Sequence, residues 1–216
     1  MTTGGSGMKL YYFETINGKK ACAVAKYLES PVEYVRIDLS KGEHKAPDFL
    51  AVNPNGKIPA LEDGDVRLWE SNAIMCHLAR KAKSELWPTD PAKQIEVLKW
   101  LSWNSEHFTR QAGTLYFNYL VKPKFGLGVP DEKATEEAIG LARQFAAVLD
   151  RALEGRTFLL GDHLTVADFA VSVTLPYAEA IRLPIEGFDN IARWQSLLDE
   201  IPAWREPFPS LQAAAA

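Results

Sequence analysis

The 216-residue chain contains 24 basic and 28 acidic residues, giving a formal net charge of -4, and 47% of its residues are hydrophobic. This balance is typical of a globular protein with a sizeable core, long enough for one large or two small domains. The acidic excess disfavours a general nucleic-acid binder, and no apolar run approaches the roughly 18 residues of a membrane span. Cys22 and Cys76 are too few for a disulfide framework or a structural zinc site, so we expect a cytoplasmic protein without a metal.

Short elements of alternating type follow a small, polar lead-in at 1–7, which lacks the apolar stretch of a secretory signal and which we expect to be disordered. Residue alternation and helical spacing predict strands at 9–13, 32–38, 57–61 and 66–69, and helices at 17–28, 47–51 and 70–83. Asp63 and Gly64 predict the hairpin turn between the last two strands. This order suits a four-stranded mixed sheet with helices on its faces, which is an α/β domain.

Two prolines within 86–91 mark the clearest boundary, and every predicted element after it is helical. Thr165 and Asp168 form a capping box at the start of one of these helices. The sequence thus predicts an α/β domain at 8–84, a linker at 85–91 and an all-helical domain at 92–216. The helices are expected at 92–119, 132–153, 165–175, 191–201 and 203–211, with a loop at 122–130.

The loop 53–61, Asn-Pro-Asn-Gly-Lys-Ile-Pro-Ala-Leu, is bracketed by prolines and runs into a short apolar segment. Pro59 removes a backbone donor at the entry to a strand, so the backbone of Ile58 can face a peptide-like ligand instead of a neighbouring strand. Glu70 and Ser71 stand where a strand gives way to a helix, whose free N–H groups suit a ligand carboxylate. Together these segments predict a binding site for a small peptide-like molecule.

Three segments in this order resemble the cytosolic glutathione transferases: the loop 53–61, the pair Glu70-Ser71, and 161–168, Gly-Asp-His-Leu-Thr-Val-Ala-Asp. The resemblance covers about residues 8–209. It implies a thioredoxin-like N-terminal domain, an all-α C-terminal domain, a homodimer and a cis peptide bond before Pro59. It also implies that glutathione sits on the first domain and that an apolar co-substrate lies against the long helix of the second.

The resemblance assigns roles to the residues around the loop. Glu70 would accept from the α-amino group of glutathione, and Ser71 would donate to its α-carboxylate. The backbone of Ile58, next to Pro59, would bind the cysteinyl part. Lys57 and Lys45 would pair with the glycine carboxylate, with an ordinary surface charge as the alternative for each.

In this family the group that stabilises the glutathione thiolate follows the first strand, where this chain has no serine but has Thr15 and Asn17. This segment is similar to that of the bacterial, Nu-class, disulfide-reductase-like branch, in which a threonine hydroxyl and an asparagine amide lie near the sulfur. We therefore expect Thr15 first and Asn17 second as catalytic residues. The alternatives are that Asn17 only caps the first helix, or that Tyr11 or Tyr12 acts instead. Cys22 lies beyond the first helical turn, so we expect it to be a buried structural thiol.

The long helix of the second domain carries candidates for the co-substrate pocket. Trp103, His107 and Arg110 are spaced by four and three residues, which places them close to one helical face, and Tyr116 lies further along. The alternative is that the aromatic residues belong to the core.

The resemblance implies a glutathione-dependent transferase of the detoxification type, in which the glutathione thiolate attacks an apolar electrophile. Reduction of disulfides or peroxides begins with the same thiolate and is a further expected activity. The alternative is a binding or scaffold protein with this fold and no turnover.

Overall fold

The computed structural model describes residues 7–210, so the predicted lead-in lies outside the described residues except for Gly7. The chain forms two compact units. Within the described residues, one consists of 7–87 together with 201–210, and the other of Pro88–Glu200. The junction between Trp87 and Pro88 falls within the predicted linker at 85–91.

The first unit contains a four-stranded sheet and its helices, close to the predicted ranges. In chain order the elements are β1 (Met8–Tyr12), α1 (Ile16–Tyr27), β2 (Val32–Arg36), α2 (Pro47–Val52), β3 (Ala60–Asp63), β4 (Val66–Trp69) and α3 (Ser71–Lys81). Two short 3₁₀ turns, Leu39–Lys41 and Glu43–Lys45, lie between β2 and α2.

The sheet is mixed, with the strand order β2-β1-β3-β4. β1 pairs in parallel with β2 and antiparallel with β3, and β3 and β4 form an antiparallel hairpin. Leu10 and Tyr12 of β1 are fully buried, and Tyr11 points to the opposite face, where it packs against Phe49 and Val52 of α2. This confirms the predicted thioredoxin-like arrangement, with both faces of the sheet covered.

The start of α1 is fixed by Thr15, whose Oγ1 accepts from the Gly18 backbone N–H at 3.1 Å. A Cβ on Gly18 would lie 2.2 Å from the Phe13 carbonyl oxygen, so only glycine fits this close approach. Asn17 lies inside the first turn, and the alternative that it caps the helix is wrong. The N-cap of α1 is therefore Thr15, which is also the residue predicted to stabilise the glutathione thiolate.

The loop 53–59 does not join the sheet, so β3 begins at Ala60 rather than at 57. The buried Asn53 donates from Nδ2 to the Lys57 carbonyl at 2.6 Å, and its Oδ1 accepts from the Asn55 backbone N–H at 3.0 Å. The Ile58–Pro59 peptide bond is cis, as the resemblance implies. The loop thus satisfies its backbone from its own side chain and leaves the backbone around Ile58 outside the strand ladder.

The second unit is helical, as predicted. Its α-helices are α4 (Pro91–Trp103), α5 (Thr109–Tyr116), α6 (Lys122–Phe125), α7 (Glu132–Ala152), α8 (Val166–Val171) and α9 (Asp189–Asp199). A 3₁₀ segment, Ser172–Tyr177, continues α8.

Two π-helical turns, Asn104–Phe108 and Phe117–Val121, connect α4, α5 and α6 without a break. The long helix therefore runs on to Phe125, and the prediction of a loop from 122 is wrong for its first four residues. Pro123 lies in this last stretch, directly after the second π-helical turn. Gly126, with φ +64°, then ends the helix in the left-handed conformation.

The capping box of α8 is present as predicted. Asp168 is fully buried, and its carboxylate accepts from the backbone N–H groups of Leu159 at 2.9 Å and Thr165 at 2.8 Å. It also accepts from the Thr165 hydroxyl at 3.0 Å and from the Trp194 indole N–H at 3.1 Å. One side chain therefore links α8, α9 and the turn before α8.

The last described segment packs on the first unit, whereas the sequence assigned it to the helical domain. Its helix, α10 (Pro202–Arg205), ends at Arg205, well before the predicted end at 211. The carbonyl oxygen of the buried Trp204 accepts from Lys19 Nζ at 2.9 Å, and the Trp204 ring centroid lies 4.3 Å from that ammonium. The Phe208 ring stacks on Tyr12 with centroids 5.8 Å apart. Contacts with α1 and β1, distant in sequence, decide this placement.

A membrane-crossing helix would have to be longer and more apolar than any helix between residues 7 and 210.

Candidate functional site

A polar cavity of about 160 Å³ opens in the first unit, beside the loop before β3 and the start of α3. It is lined by Asn17, Asn53, Asn55, Lys57, Ile58, Pro59, Glu70 and Ser71. The predicted residues from 57 to 71 are therefore brought together, and Asn17 joins them from α1. Among residues 7–210, no group of three or more His, Cys, Asp or Glu side chains is placed to hold a metal ion.

Glu70 occupies a backbone conformation that is rare for its residue type. Its φ is +70°, although it carries a side chain, and it directly precedes α3. Such positions cost of order 1–3 kcal/mol and cluster at ligand sites. The turn places the exposed Glu70 carboxylate beside the buried Ser71, which is the first residue of the helix. A carboxylate that can accept hydrogen bonds thus lies next to a group of N–H and O–H donors.

Thr15 and Asn17 reach this region from the start of α1. Ser71 Oγ lies 3.4 Å from Asn17 Oδ1, a long contact that places Asn17 at the α3 end of the cavity. Thr15 is half-buried and lies outside the cavity lining. Its Oγ1 accepts from Gly18, whereas the distance from Oγ1 to the Phe13 carbonyl oxygen, 3.5 Å, is too long for a good hydrogen bond. The Thr15 hydroxyl proton is therefore available to an incoming anion.

The two predicted lysines are both exposed and differ in position. Lys57 lines the cavity. Lys45 lies just outside it, with its Nζ 2.9 Å from the place where a Cβ on Gly56 would be. Gly56 has φ +58°, so glycine both permits the turn and leaves room for the Lys45 ammonium beside the loop.

The other side chains considered for contact with the glutathione sulfur are Tyr11, Tyr12 and Cys22, and all three lie away from the cavity. The Tyr11 hydroxyl donates to the Glu62 carboxylate, and burial together with that partner raises the pKa of Tyr11. Tyr12 is fully buried, and desolvation raises its pKa too. Cys22 is buried in α1, where desolvation raises the pKa of its thiol, which is the behaviour of a structural cysteine. None of the three lines the cavity.

The predicted co-substrate residues lie in the second unit, where the Trp103 and His107 rings lie 6.3 Å apart. Trp103 is half-buried in an aromatic cluster, stacked on Phe108 with centroids 6.0 Å apart and edge-on to Phe145 at 6.2 Å. The exposed His107 ring lies 4.9 Å from the Phe145 ring. His107 lies within the π-helical turn Asn104–Phe108, which connects α4 to α5.

Arg110 and Tyr116 are placed apart from that cluster. Arg110 is exposed, pairs with Glu106 at 3.7 Å, and lines a separate cavity of about 380 Å³ beside α7. The Tyr116 ring meets Tyr177 edge-on at 5.2 Å, and desolvation raises the pKa of Tyr116 to about 12. The role of these four residues toward a co-substrate stays a prediction.

Sequence reasoning missed three residues at this site. Asn53 and Asn55 line the cavity, and the hydrogen bonds of Asn53 shape the loop. The signal was present, because asparagine next to Pro-x-Gly favours local side-chain to backbone bonds. Lys20 is buried one turn after Asn17 on α1. A lysine within the apolar run of α1 was the available signal, but the burial of its side chain depends on distant segments.

The comparison with known sequences decides the family. Residues 6–80 match the family model described as "Glutathione S-transferase, N-terminal domain", and residues 132–213 match "Glutathione S-transferase, C-terminal domain". The chain is 40% identical over 185 residues to Glutathione S-transferase 3 of Zea mays, which covers 81% of this chain and 80% of that protein. The chain belongs to the glutathione S-transferase family.

Other members of the glutathione S-transferase family support the same assignment. The chain is 39% identical over 166 residues to the "Probable glutathione S-transferase GSTF2" of Oryza sativa, covering 76% of this chain and 77% of that one. Its fold matches a maize glutathione S-transferase I in complex with an atrazine glutathione conjugate, with a TM-score of 0.83, 28% identity and 97% of each chain covered. The likeness of the Thr15–Asn17 segment to the bacterial Nu-class branch stays a prediction, because these relatives are plant proteins.

Proposed function

We propose that this family member is a glutathione-dependent transferase whose bound glutathione attacks an apolar electrophile as the thiolate. The observation that carries the proposal is the cavity in which Glu70, Ser71 and the backbone around Ile58 face one another. Catalytically inactive binding is not favoured, because relatives named as transferases match most of the chain.

The cavity complements the γ-glutamyl end of glutathione, which carries an α-ammonium and an α-carboxylate. The Glu70 carboxylate accepts from the ammonium, and the Ser71 hydroxyl and the N–H groups that begin α3 donate to the carboxylate. The backbone N–H and C=O of Ile58 bind the cysteinyl part as a strand would. Lys57 and Lys45 attract the glycine carboxylate from the rim.

The thiol becomes a thiolate because a donor at the start of α1 stabilises the anion. Thr15 is the first candidate, because its lone pairs already accept from Gly18 while its proton has no good acceptor among the described residues. Asn17 is the second, because it lines the cavity and its amide N–H groups can donate to the anion. The positive end of α1 adds to the same effect.

The thiolate also supports disulfide or peroxide reduction, and we propose these as further activities of the same site. The co-substrate would meet Trp103, His107, Arg110 and Tyr116. We also propose a cytoplasmic homodimer with a role in detoxification, in which the electrophile is small and apolar.

The Thr15→Val variant tests the sulfur assignment, because valine keeps the shape and removes the hydroxyl. We expect kcat/KM with a small aromatic electrophile to fall roughly 100-fold, as for loss of one anion-stabilising donor. The dissociation constant of glutathione should change little. Thiolate absorbance of bound glutathione, followed against pH, should show a raised thiol pKa.

Thr15→Ser is the matched control, because it keeps both the hydroxyl and the helix cap, and its kcat/KM should stay near that of the original protein. If Thr15→Val keeps its full kcat/KM and Asn17→Ala loses kcat/KM, then Asn17 and not Thr15 stabilises the thiolate. If calorimetry detects no glutathione binding by the unchanged protein, the proposed function is wrong.

A further inference from the structure

Lys20 is a charged residue in an unusual place. Its side chain is only 4% exposed, within an α1 run of alanine, cysteine and valine residues that are fully buried. Burying a lysine is costly unless its charge interacts with something nearby. The proposed chemistry at the sulfur does not use it, so its position calls for an explanation.

The geometry of α1 directs Lys20 toward the cavity. Lys20 follows Asn17 by three residues, so the two side chains lie on one helical face, and helical side chains lean toward the N-terminus. Asn17 lines the cavity, and its Oδ1 lies 3.4 Å from Ser71 Oγ at the start of α3. Lys20 therefore lies on the helical face that carries Asn17 into the cavity, and it interacts electrostatically with Glu70, which precedes α3.

The charged group that interacts with Lys20 is Glu70, which lines the cavity. Desolvation lowers the pKa of Lys20 to about 8, and the Glu70 carboxylate opposes that shift. On α1, Lys19 points away to the Trp204 carbonyl oxygen, and on α10, Arg205 is exposed. The first turn of α3 carries no acidic residue. The exposed Glu70 carboxylate therefore offsets only part of the cost of burying the Lys20 charge.

We propose that Lys20 is the buried counter-charge for the α-carboxylate of the γ-glutamyl end of glutathione. The inference rests on the proposed function and deepens it. Glu70 meets the ligand ammonium and Lys20 attracts the ligand carboxylate, so each charge of the zwitterion has an opposite partner in the protein. Ser71 supplies the direct hydrogen bond, while Lys20 acts through the low-dielectric interior, where charges interact more strongly than in water.

Paired ligands and variants test this role. The ligands are S-methylglutathione, which has no free thiol, and two analogues of it that lack either the α-carboxylate or the α-amino group. With Lys20→Met we expect the dissociation constant of S-methylglutathione to rise roughly 10-fold, which is the scale of one charge-assisted interaction. The analogue without the amino group should show the same rise. The analogue without the carboxylate should bind the variant and the original protein equally.

The dependence on pH separates an electrostatic role from a packing role. Lys20 loses its charge as the pH rises through about 8, so the affinity of the original protein for the analogue without the amino group should fall between pH 7 and pH 9. Lys20→Arg keeps its charge throughout and should show no such fall. Lys19→Met removes the adjacent buried ammonium and should leave all three affinities unchanged.

The outcomes distinguish the two proposals. If the original protein does not bind S-methylglutathione, the proposed function is wrong. If it binds, but Lys20→Met binds all three ligands as the original does, Lys20 has no role in recognition. A Lys20→Met loss that is equally large for the analogue without the carboxylate would show a packing effect and would overturn the inference.

Discussion

The start of α1 depends on the close fit of three residues. Gly18 donates its N–H to the Thr15 hydroxyl, and the missing Cβ of Gly18 lets this turn approach the Phe13 carbonyl. One hydroxyl thus caps the start of α1 and, in our proposal, also donates to the thiolate. Small displacements of Thr15 should therefore reduce activity more than they reduce binding, because Glu70 and Ser71 are on another element.

Gly18→Ala tests this fit. A Cβ at this position would lie 2.2 Å from the Phe13 carbonyl oxygen and 3.3 Å from Thr15 Oγ1, so the backbone must shift, at a cost of roughly 1–3 kcal/mol in the free energy of unfolding. We expect kcat to fall while glutathione affinity changes little. Kinetics at saturating glutathione, together with urea denaturation, measure both effects.

Gly113→Ala is the matched control, since it lies in α5 and a Cβ there meets no atom within 4 Å. It should keep full activity and gain up to about 1 kcal/mol of stability from helix propensity. Unchanged kcat in Gly18→Ala would show that the position of Thr15 does not govern the reaction.

Among the elements of the second unit, α8 depends most on a single side chain. The buried Asp168 carboxylate of α8 accepts four hydrogen bonds, which come from Leu159 and Thr165 before the helix and from Trp194 on α9. An ordinary helix cap satisfies one or two donors at the surface. Asp168 should therefore contribute more to stability than the roughly 1 kcal/mol of such a cap.

Asp168→Asn tests this difference, because the amide is nearly the same shape but directs N–H groups at bound donors. We expect the free energy of unfolding to fall by about 3 kcal/mol or more, as buried donors lose their acceptor. Urea denaturation of the full chain is the measurement.

Asp131→Asn is the comparison, because Asp131 caps α7 at an exposed position, where asparagine is an equally good cap. It should change stability by less than about 0.5 kcal/mol. Equal effects in the two variants would contradict the special role of Asp168.

At the scale of the whole molecule, the chain leaves the first unit after Trp87 and returns to it at Ile201. The returning segment buries Trp204 against Lys19 of α1 and stacks Phe208 on Tyr12 of β1. The first unit is therefore completed by residues that follow the second unit in the chain. Its stability should depend on them even though the cavity lies within residues 17–71.

Trp204→Ala tests this dependence. Trp204 is only 1% exposed, and removing a buried tryptophan typically costs about 3–5 kcal/mol. We expect a matching fall in the free energy of unfolding by urea denaturation. The exposed neighbour Arg205→Ala should leave stability within about 0.5 kcal/mol. A Trp204→Ala protein as stable as the Arg205→Ala control would show that the segment is not part of the first unit.

The regular elements were the most predictable part of the fold. The strands β1, β2 and β4, the hairpin turn and the helix α7 lie within two or so residues of their predicted ranges, because each has a clear period and clear end signals. The predicted start of β3 was wrong because Asn53 forms hydrogen bonds with the loop backbone before the strand. The predicted end of the long helix was wrong because π-helical turns continue it to Phe125.

The sequence by itself determined the order of the elements, the loop 53–61 and the pair Glu70-Ser71, because these depend on local period and turn chemistry. The tertiary structure decided that Thr15 rather than Asn17 caps α1, that Lys20 is buried, and that Trp204 belongs to the first unit. These outcomes depend on contacts between distant residues, such as Lys19 with Trp204, which are 185 positions apart. The local sequence pattern does not predict such contacts, because the burial of a side chain depends on which distant segments pack against it.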